Sequence, residues 1–484
     1  MPKNSSFFIN GRWVEPRGGA RIEVVCPSTE EVVGYCSEAS EEEVGLAVSA
    51  ARTAFDEGAW PRTSVAERAA VIERAMSALT EQADEVGRLV TSEMGAPISA
   101  STAQAQRVSG TAAFLSEVAT STPAQDLRYA GSPAAVLREP VGVVAAIAPW
   151  NGPVGTAVTK ILPALLAGCS VVFKPAPETP LDISFLVDAL KSEGLPAGVL
   201  NVVSGGAATG AAMVRHPEVN KVSFTGSTAA GRQIGEVCGR EFKRVQLELG
   251  GKSAAIVLED ADLDQVAAGL SLGCFFNSGQ VCAALSRVLA PRNLYGEVVE
   301  ALVGGAKSWV IGDPFDPGTT LGPLVTSRQR ERVQGYIDGA VEAGARVVAG
   351  GGRPSGLDKG WFVEPTVLAD VSNDMQVARE EIFGPVAVVI PYDDRADAIR
   401  IANDSEYGLH GAVFTRSPQA AMEVARAVRS GTFSVNNFVY NNRAPFGGVK
   451  KSGIGRDSGR EGYEAFFELK TLNLDPLTEQ LFQS

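Results

Sequence analysis

Histidine is nearly missing from this sequence: 484 residues contain two, His216 and His410. Clusters of imidazole metal ligands are therefore excluded. A Ser-His-Asp triad would have to use one of those two, and no G-x-S-x-G elbow occurs. Isolated as they are, both read as structural or surface residues. Cysteine is sparse as well, at Cys26, Cys36, Cys169, Cys238, Cys274 and Cys282. No two form a C-x-x-C pair, and six thiols in so long a chain make no disulfide framework, which fits a reducing compartment. Dense basic tracts are absent, and 43 Lys and Arg against 56 Asp and Glu leave a net charge of −13. Such a chain binds nucleic acid poorly, because phosphate contacts supply most of that affinity. The longest apolar runs, residues 141–149 and 163–173, are about half of a membrane span. The opening Met1-Pro2-Lys3-Asn4-Ser5-Ser6 leads into no signal-peptide core. The expectation is a soluble, cytoplasmic protein with no metal, nucleic-acid or membrane partner. Catalysis, if any, must run on Cys, Glu, Lys or a cofactor.

What is present describes an ordinary globular chain, 45% apolar and 20% charged. Its length suggests about three domains or lobes, with a core large enough to need no staple. Ser40 and Ser64 each precede a Glu by three residues, so both read as capping boxes. The helix opened at Ser64 carries Val65, Ala69, Ile72, Met76 and Leu79 at helical spacing and stops near Gly95. From residue 141 the pattern alternates. Strands are expected at 141–148, 170–174, 199–203, 221–225 and 245–249, with helices at 153–167, 181–193, 206–216 and 227–238 between them. This is the signature of parallel βαβ units and a doubly wound sheet. A second alternating region covers residues 254–433, with strands at 254–258, 287–290, 346–349 and 386–392. Residues 134–137 read as strand-like, and the tail at 462–474 alternates weakly and reads as an added edge strand. Ligands of such sheets lie at the carboxyl ends of the strands, where Pro149-Trp150-Asn151, Lys174-Pro175-Ala176 and Thr225-Gly226-Ser227 stand.

Three motifs mislead. Gly251-Lys252-Ser253 ends like a P-loop, but Gln246 stands where that loop needs Gly. Gly453, Gly455 and Gly459 are spaced G-x-G-x-x-x-G with no long strand before them, so a turn is the better reading. Residues 226–231 do follow a strand and open a helix, so their amides could receive a phosphate. Taken alone, many βα turns look the same.

Cys282, closing Asn277-Ser278-Gly279-Gln280-Val281-Cys282, is a plausible nucleophile, although a lone cysteine is normally a buried inert thiol. Its company changes that reading. Pro149-Trp150-Asn151, Lys174-Pro175, Phe224-Thr225-Gly226-Ser227-Thr228, Leu247-Glu248-Leu249-Gly250-Gly251-Lys252 and Gly279-Gln280-Val281-Cys282 follow in order. Glu380-Glu381-Ile382-Phe383-Gly384-Pro385, Asn403-Asp404-Ser405-Glu406-Tyr407-Gly408 and Pro445-Phe446-Gly447-Gly448 complete the set. With these motifs the chain resembles the NAD(P)-dependent aldehyde dehydrogenase superfamily, of the non-acylating, hydrolytic type, over nearly its whole length.

The resemblance implies an α/β fold. Its parts would be a Rossmann-type dinucleotide-binding domain (residues 1–121 and 141–249), an α/β catalytic domain (250–447) and oligomerisation strands (122–140 and 462–484). It implies Cys282 as nucleophile, Glu248 as general base for the hydrolytic water, and the Asn151 amide with the Cys282 N–H as oxyanion donors. Lys160 and Glu464 resemble supporting charges. The cofactor would touch Ile147, Trp150, Lys174, Gly226, Ser227, Thr228, Gly231, Leu249, Glu381 and Phe383. A homodimer or homotetramer is implied, and edge strands supply the physical motive.

Three positions depart from the family pattern. Pro177 stands where many relatives carry an acid that excludes a 2′-phosphate, with Glu178 one place later. NAD is the expected cofactor, with NADP left open. Gly152 replaces a bulky aromatic, and Gly155, Thr156 and Thr159 continue that small-residue stretch. With Phe276, Val281, Phe438, Tyr440 and Phe446 as further lining, the expectation is a roomy apolar tunnel for aromatic, terpenoid or medium-chain aldehydes. Asp457 stands where Glu is usual, with no functional change expected. Arg443 and Arg287 keep a semialdehyde of amino-acid catabolism as an alternative. Glu248 argues against a CoA-acylating enzyme, and intact Cys282, Glu248 and Asn151 argue against a non-catalytic homologue.

Overall fold

A computed structural model describes residues 6–130, 132–475 and 478. The expectations for residues 1–5, 131, 476–477 and 479–484 lie outside it.

Two open α/β sheets form the body. The first has eight strands, in the order Gly453–Ile454, Arg244–Glu248, Lys221–Thr225, Val143–Ile147, Ser170–Lys174, Leu200–Val202, Phe7–Ile9 and Arg12–Val14. Its five central strands are parallel, and the outer pairings are antiparallel. Val143–Ile147 is buried at every position, as a strand covered by helices on both faces must be. The chain winds outward from it to Ser170–Lys174 and Leu200–Val202, then returns to place Lys221–Thr225 on its other side. That reversal opens a crevice at the carboxyl ends of Val143–Ile147 and Lys221–Thr225. The second sheet has seven strands around Ala254–Val257, Arg287–Pro291 and Val386–Tyr392.

Local sequence explains the connecting helices. Ser40 and Ser64 make both halves of their capping boxes. Pro153 occupies the first turn of Pro153–Ala167, and Gly168 closes it in the left-handed region at φ +95°. One helix differs from expectation. The run from Ser64 to Gly95 is two helices, Val65–Glu81 and Ala83–Met94, broken at Gln82. The apolar periodicity continues through the break, so it could not reveal it.

The third layer is antiparallel: Phe467–Asn473 pairs with Ser132–Pro140, which pairs with Gln125–Ala130. The tail strand is thus paired within its own chain along one edge, and Leu469 on it is 66% exposed. No helix among the described residues is long and apolar enough to cross a membrane.

Candidate active site

Cys282 sits on the loop between helix Leu263–Phe275 and strand Arg287–Pro291. Three successive residues, Asn277, Ser278 and Gly279, have φ of +54°, +56° and +68°. Only glycine fits the third, because a Cβ there would stand 2.0 Å from the Gly384 carbonyl oxygen. The polar side chains around it hold the backbone. Ser278 Oγ donates to Gly322 O at 2.7 Å, and Gln280 Nε2 donates to Asn277 O at 3.2 Å. Gln280 Oε1 accepts from Val325 N at 3.0 Å. Gly251 passes so close that a Cβ would stand 2.4 Å from Cys282 O. The other five cysteines are buried, whereas Cys282 is half-buried and faces a cavity. Burial, then the carboxylates of Glu381 and Glu248, push its thiol up to about 12, against the pull of the Ala283 and Cys282 N–H groups.

Glu248 ends its strand beside that cavity, 3% exposed, and neither carboxylate oxygen has a hydrogen-bond partner. Burial and the nearby Asp457 raise its pKa to about 9, while Lys160 and Arg456 oppose them. Lys160 Nζ donates to Asp457 Oδ2 at 3.3 Å and to Ser223 Oγ at 3.1 Å. The supporting pair is therefore Lys160 with Asp457. Glu464 is exposed on helix Gly459–Glu464 and has no place in it. Asn151 Nδ2 donates to Gln280 O at 2.9 Å, and Asn277 Nδ2 donates to Asn151 O at 3.0 Å. Asn277 was not a sequence candidate. Its only signal was an Asn suited to a left-handed turn just ahead of the cysteine.

Cys282, Glu248 and Asn151 line one cavity of about 740 Å³. Gly152, Gly155, Thr156, Val281, Tyr440 and Phe446 also line it, whereas Phe276 and Phe438 fall outside. Phe276 is 42% exposed, and Phe438 is buried behind Tyr440 with ring centroids 5.2 Å apart. His410 lies on the floor, its Nδ1 2.8 Å from Thr432 Oγ1 and its Nε2 3.3 Å from Ser434 Oγ. Burial lowers its pKa to about 4, so the ring is neutral and props the aromatic wall. The wall is more polar than expected, because Gln104 and Arg107 belong to it. Arg287 does not: it is 1% exposed and bound to Lys252 O, Asn373 Oδ1, Ile401 O and Ala402 O.

A second group of candidate residues stands at the carboxyl ends of the first sheet's strands. Ser227 caps helix Thr228–Arg240 by accepting from Ala230 N. The Thr228 and Ala229 amides have no partner among the described residues. Gly231 packs on Leu249, where a Cβ would meet Cδ2 at 2.3 Å. Gly210 faces Lys174 Cε and Ile147 Cδ1 across 3.5 and 3.8 Å from its Cβ position. Lys174 Nζ donates to Pro175 O at 3.0 Å and Gly205 O at 2.8 Å, and burial lowers its pKa to about 8. Trp150 and Phe383 stand edge to face at 5.3 Å. Glu381 Oε1 accepts from Gly251 N at 3.1 Å, which ties this group to the nucleophile loop. Open amides at a helix N-terminus suit a pyrophosphate. Glu178 lies 4.0 Å from Arg328 Nη2.

The family model described as the aldehyde dehydrogenase family matches residues 13–472. Geranial dehydrogenase of Castellaniella defragrans is 44% identical over 96% of this chain and 98% of its own. The 3-succinoylsemialdehyde-pyridine dehydrogenase of a Pseudomonas species is 42% identical, again over 96% and 98%. Among solved structures, a Mycobacterium tuberculosis aldehyde dehydrogenase complexed with NAD+ superposes with a TM-score of 0.95 at 45% identity, covering 98% of each chain. An aldehyde dehydrogenase C variant from Pseudomonas syringae, with NAD+ and octanal, gives 0.94 at 38%, covering 97% and 96%.

Proposed function

The chain belongs to the aldehyde dehydrogenase family, and from that premise we propose that it oxidises a bulky, apolar-bodied aldehyde to the carboxylic acid with NAD. The observation that carries the reading is the convergence of a half-buried thiol, an unpartnered buried carboxylate and a carboxamide in one cavity beside an open helix N-terminus.

Cys282 is the nucleophile: its sulfur attacks the aldehyde carbon as thiolate. The resulting oxyanion lies between Asn151 Nδ2 and the Cys282 N–H, each donor contributing about 3–4 kcal/mol where charge develops. Residues 226–231 with Ile147, Trp150, Lys174, Leu249, Glu381 and Phe383 would hold NAD, which supplies hydride acceptance when bound. The Ala283 and Cys282 N–H groups favour the thiolate. Cys282 is left as a thioester. Glu248 then takes a proton from water, whose oxygen attacks the thioester carbon, and the Cys282 thiolate leaves. Because burial keeps Glu248 protonated at neutral pH, it must first lose its proton, and Lys160 with Asp457 lies beside it. We assign the dinucleotide to residues 1–121 and 141–249, catalysis to 250–447, and assembly as a dimer or tetramer to the strands within 122–140 and 462–475.

Following reduced-cofactor absorbance with acetaldehyde, octanal, benzaldehyde and geranial tests this reading, with Cys282→Ala as control. Faster turnover of the larger aldehydes, lost in the control, is the expected result. Equal or faster turnover of acetaldehyde would overturn the substrate class, and activity surviving in the control would overturn the mechanism.

A further inference from the structure

The glycines that suggested a roomy tunnel do not leave an empty wall. A Cβ on Gly152 would stand 3.5 Å from Gln104 Nε2, and one on Gly155 would stand 3.4 Å from Gln104 Cδ. Gln104 therefore packs directly over those two glycines, where a side chain larger than a methyl group would meet it. It comes from helix Ile98–Gln106, and its carboxamide has no hydrogen-bond partner among the described residues. Arg107, three residues on and so on the same side of the chain, lines the same cavity and is exposed. Its guanidinium makes no ion pair and no hydrogen bond among the described residues, unlike the neighbouring rim cation. Arg443 lies 3.5 Å from the Glu117 carboxylate and stacks 5.0 Å over the Phe114 ring.

The charges of the cavity are thus separated. Glu248 and Asp457, both buried, stand at its inner end beside Cys282, and Arg107 stands at its open end. Between them the lining includes Val108, Val281, Tyr440 and Phe446. A molecule with an anion at one end is held there by the exposed guanidinium, which leaves its other end to reach along the apolar lining toward the thiol. A carboxylate matches the planar fork of an arginine and can also accept from a carboxamide N–H.

We propose that the substrates of this enzyme are oxoacids: an aldehyde at one end of an apolar body, and a carboxylate at the other that Arg107 binds with help from Gln104. The inference rests on the aldehyde-oxidising function proposed above and narrows its substrate class. Arg107 is a specificity-determining residue in it, distant from the chemistry.

Matched pairs test it directly: hexanal against 6-oxohexanoate, and octanal against 8-oxooctanoate, at low ionic strength. The expected result is a kcat/KM at least about tenfold higher for the oxoacid of one pair, expressed in KM, as a charge-assisted hydrogen bond gives. Arg107→Gln should remove most of that ratio by raising the oxoacid KM with little change in its kcat, while Arg107→Lys keeps part of it. Raising salt to about 0.5 M should narrow the ratio as well, through screening of an exposed charge. Equal kcat/KM within both pairs, or an Arg107→Gln effect shared equally by octanal and 8-oxooctanoate, would overturn the inference and leave aldehyde oxidation standing. Failure to oxidise any of the four would overturn both.

Discussion

The floor and the outer wall of the cavity are built in opposite ways. The floor is backbone against backbone. Gly279 meets Gly384 O, Gly251 meets Cys282 O, and Ser278, Gln280 and Asn277 spend their polar atoms on main-chain partners. The wall is side chains against water. The Gln104 and Arg107 side chains have no hydrogen-bond partner among the described residues, and Val439 is 62% exposed. Reaction geometry tolerates errors of well under an ångström, so the floor is over-determined. Substrate choice needs only shape and charge, which exposed side chains supply. The lesson is that chemistry and specificity separate along the depth of one cavity, and substitutions should separate the same way.

The floor should give the largest effects. Cys282→Ala removes the nucleophile, and a loss of at least about 10,000-fold in kcat/KM is expected, since members of a catalytic unit fail together. Progress curves with octanal and NAD measure it. A loss under a hundredfold would break the comparison at once. Asn151→Ala leaves the thiol in place but removes an oxyanion donor, so kcat should fall about 100- to 1,000-fold. Because Asn151 also bonds Gln280 O, Asn151→Asp provides a second test, in which an added anion should depress the rate further.

Next comes pH, which reads the buried acid. Glu248 works as a base only when ionised, and its pKa is raised to about 9. Where deacylation limits turnover, log kcat should rise by about one unit per pH unit up to that region and then level. The neighbouring charges fix the direction of two variants. Asp457→Asn removes an anion that raises the Glu248 pKa, so its profile should move to lower pH. Lys160→Met removes a cation that lowers it, so its profile should move up. Shifts in the same direction for both would mean that the pair does not act on Glu248.

Legibility in the sequence follows the same divide. Strands Ser170–Lys174 and Lys221–Thr225 and helix Pro153–Ala167 stand where apolar period and punctuation put them. Cys282, Glu248 and Asn151 each lie in a motif, and one cavity brings the three together. What was missed depends on contacts distant in sequence. Strands Thr366–Ala369 and Gly411–Phe414 are held in place by pairing with strands distant in sequence, Val386–Tyr392 and Ala254–Val257. Asp457 meets Lys160 across 297 positions, so its partnership left no local signal and exposed Glu464 was read in its place. Aromatic character alone places Phe438 in the lining. It is buried behind Tyr440 and packs edge-on against His410, an imidazole that its isolation in the sequence marks as structural. Gln104 and Arg107 lie in a polar stretch that reads as a solvated helix face, and only the packing of Gln104 on two glycines turns them inward.

The smallest effect belongs to the outermost residue. Val439 is 62% exposed and shares the cavity lining with Cys282. It makes no polar contact that its loss would leave unpaired, and most of its surface already meets water. Truncating an exposed apolar side chain forfeits little transfer free energy, because burial is what gives that term its size. Val439→Ala should therefore change kcat for octanal by less than about twofold, and any response should appear in KM as weaker contact with the apolar part of the substrate. Asn151→Ala, in the same cavity, should show the reverse, with kcat falling and KM little changed. Steady-state kinetics on the two variants under one buffer measure both. A fall in kcat for Val439→Ala comparable with that of Asn151→Ala would mean that the outer wall moves the floor, and that depth does not separate chemistry from specificity.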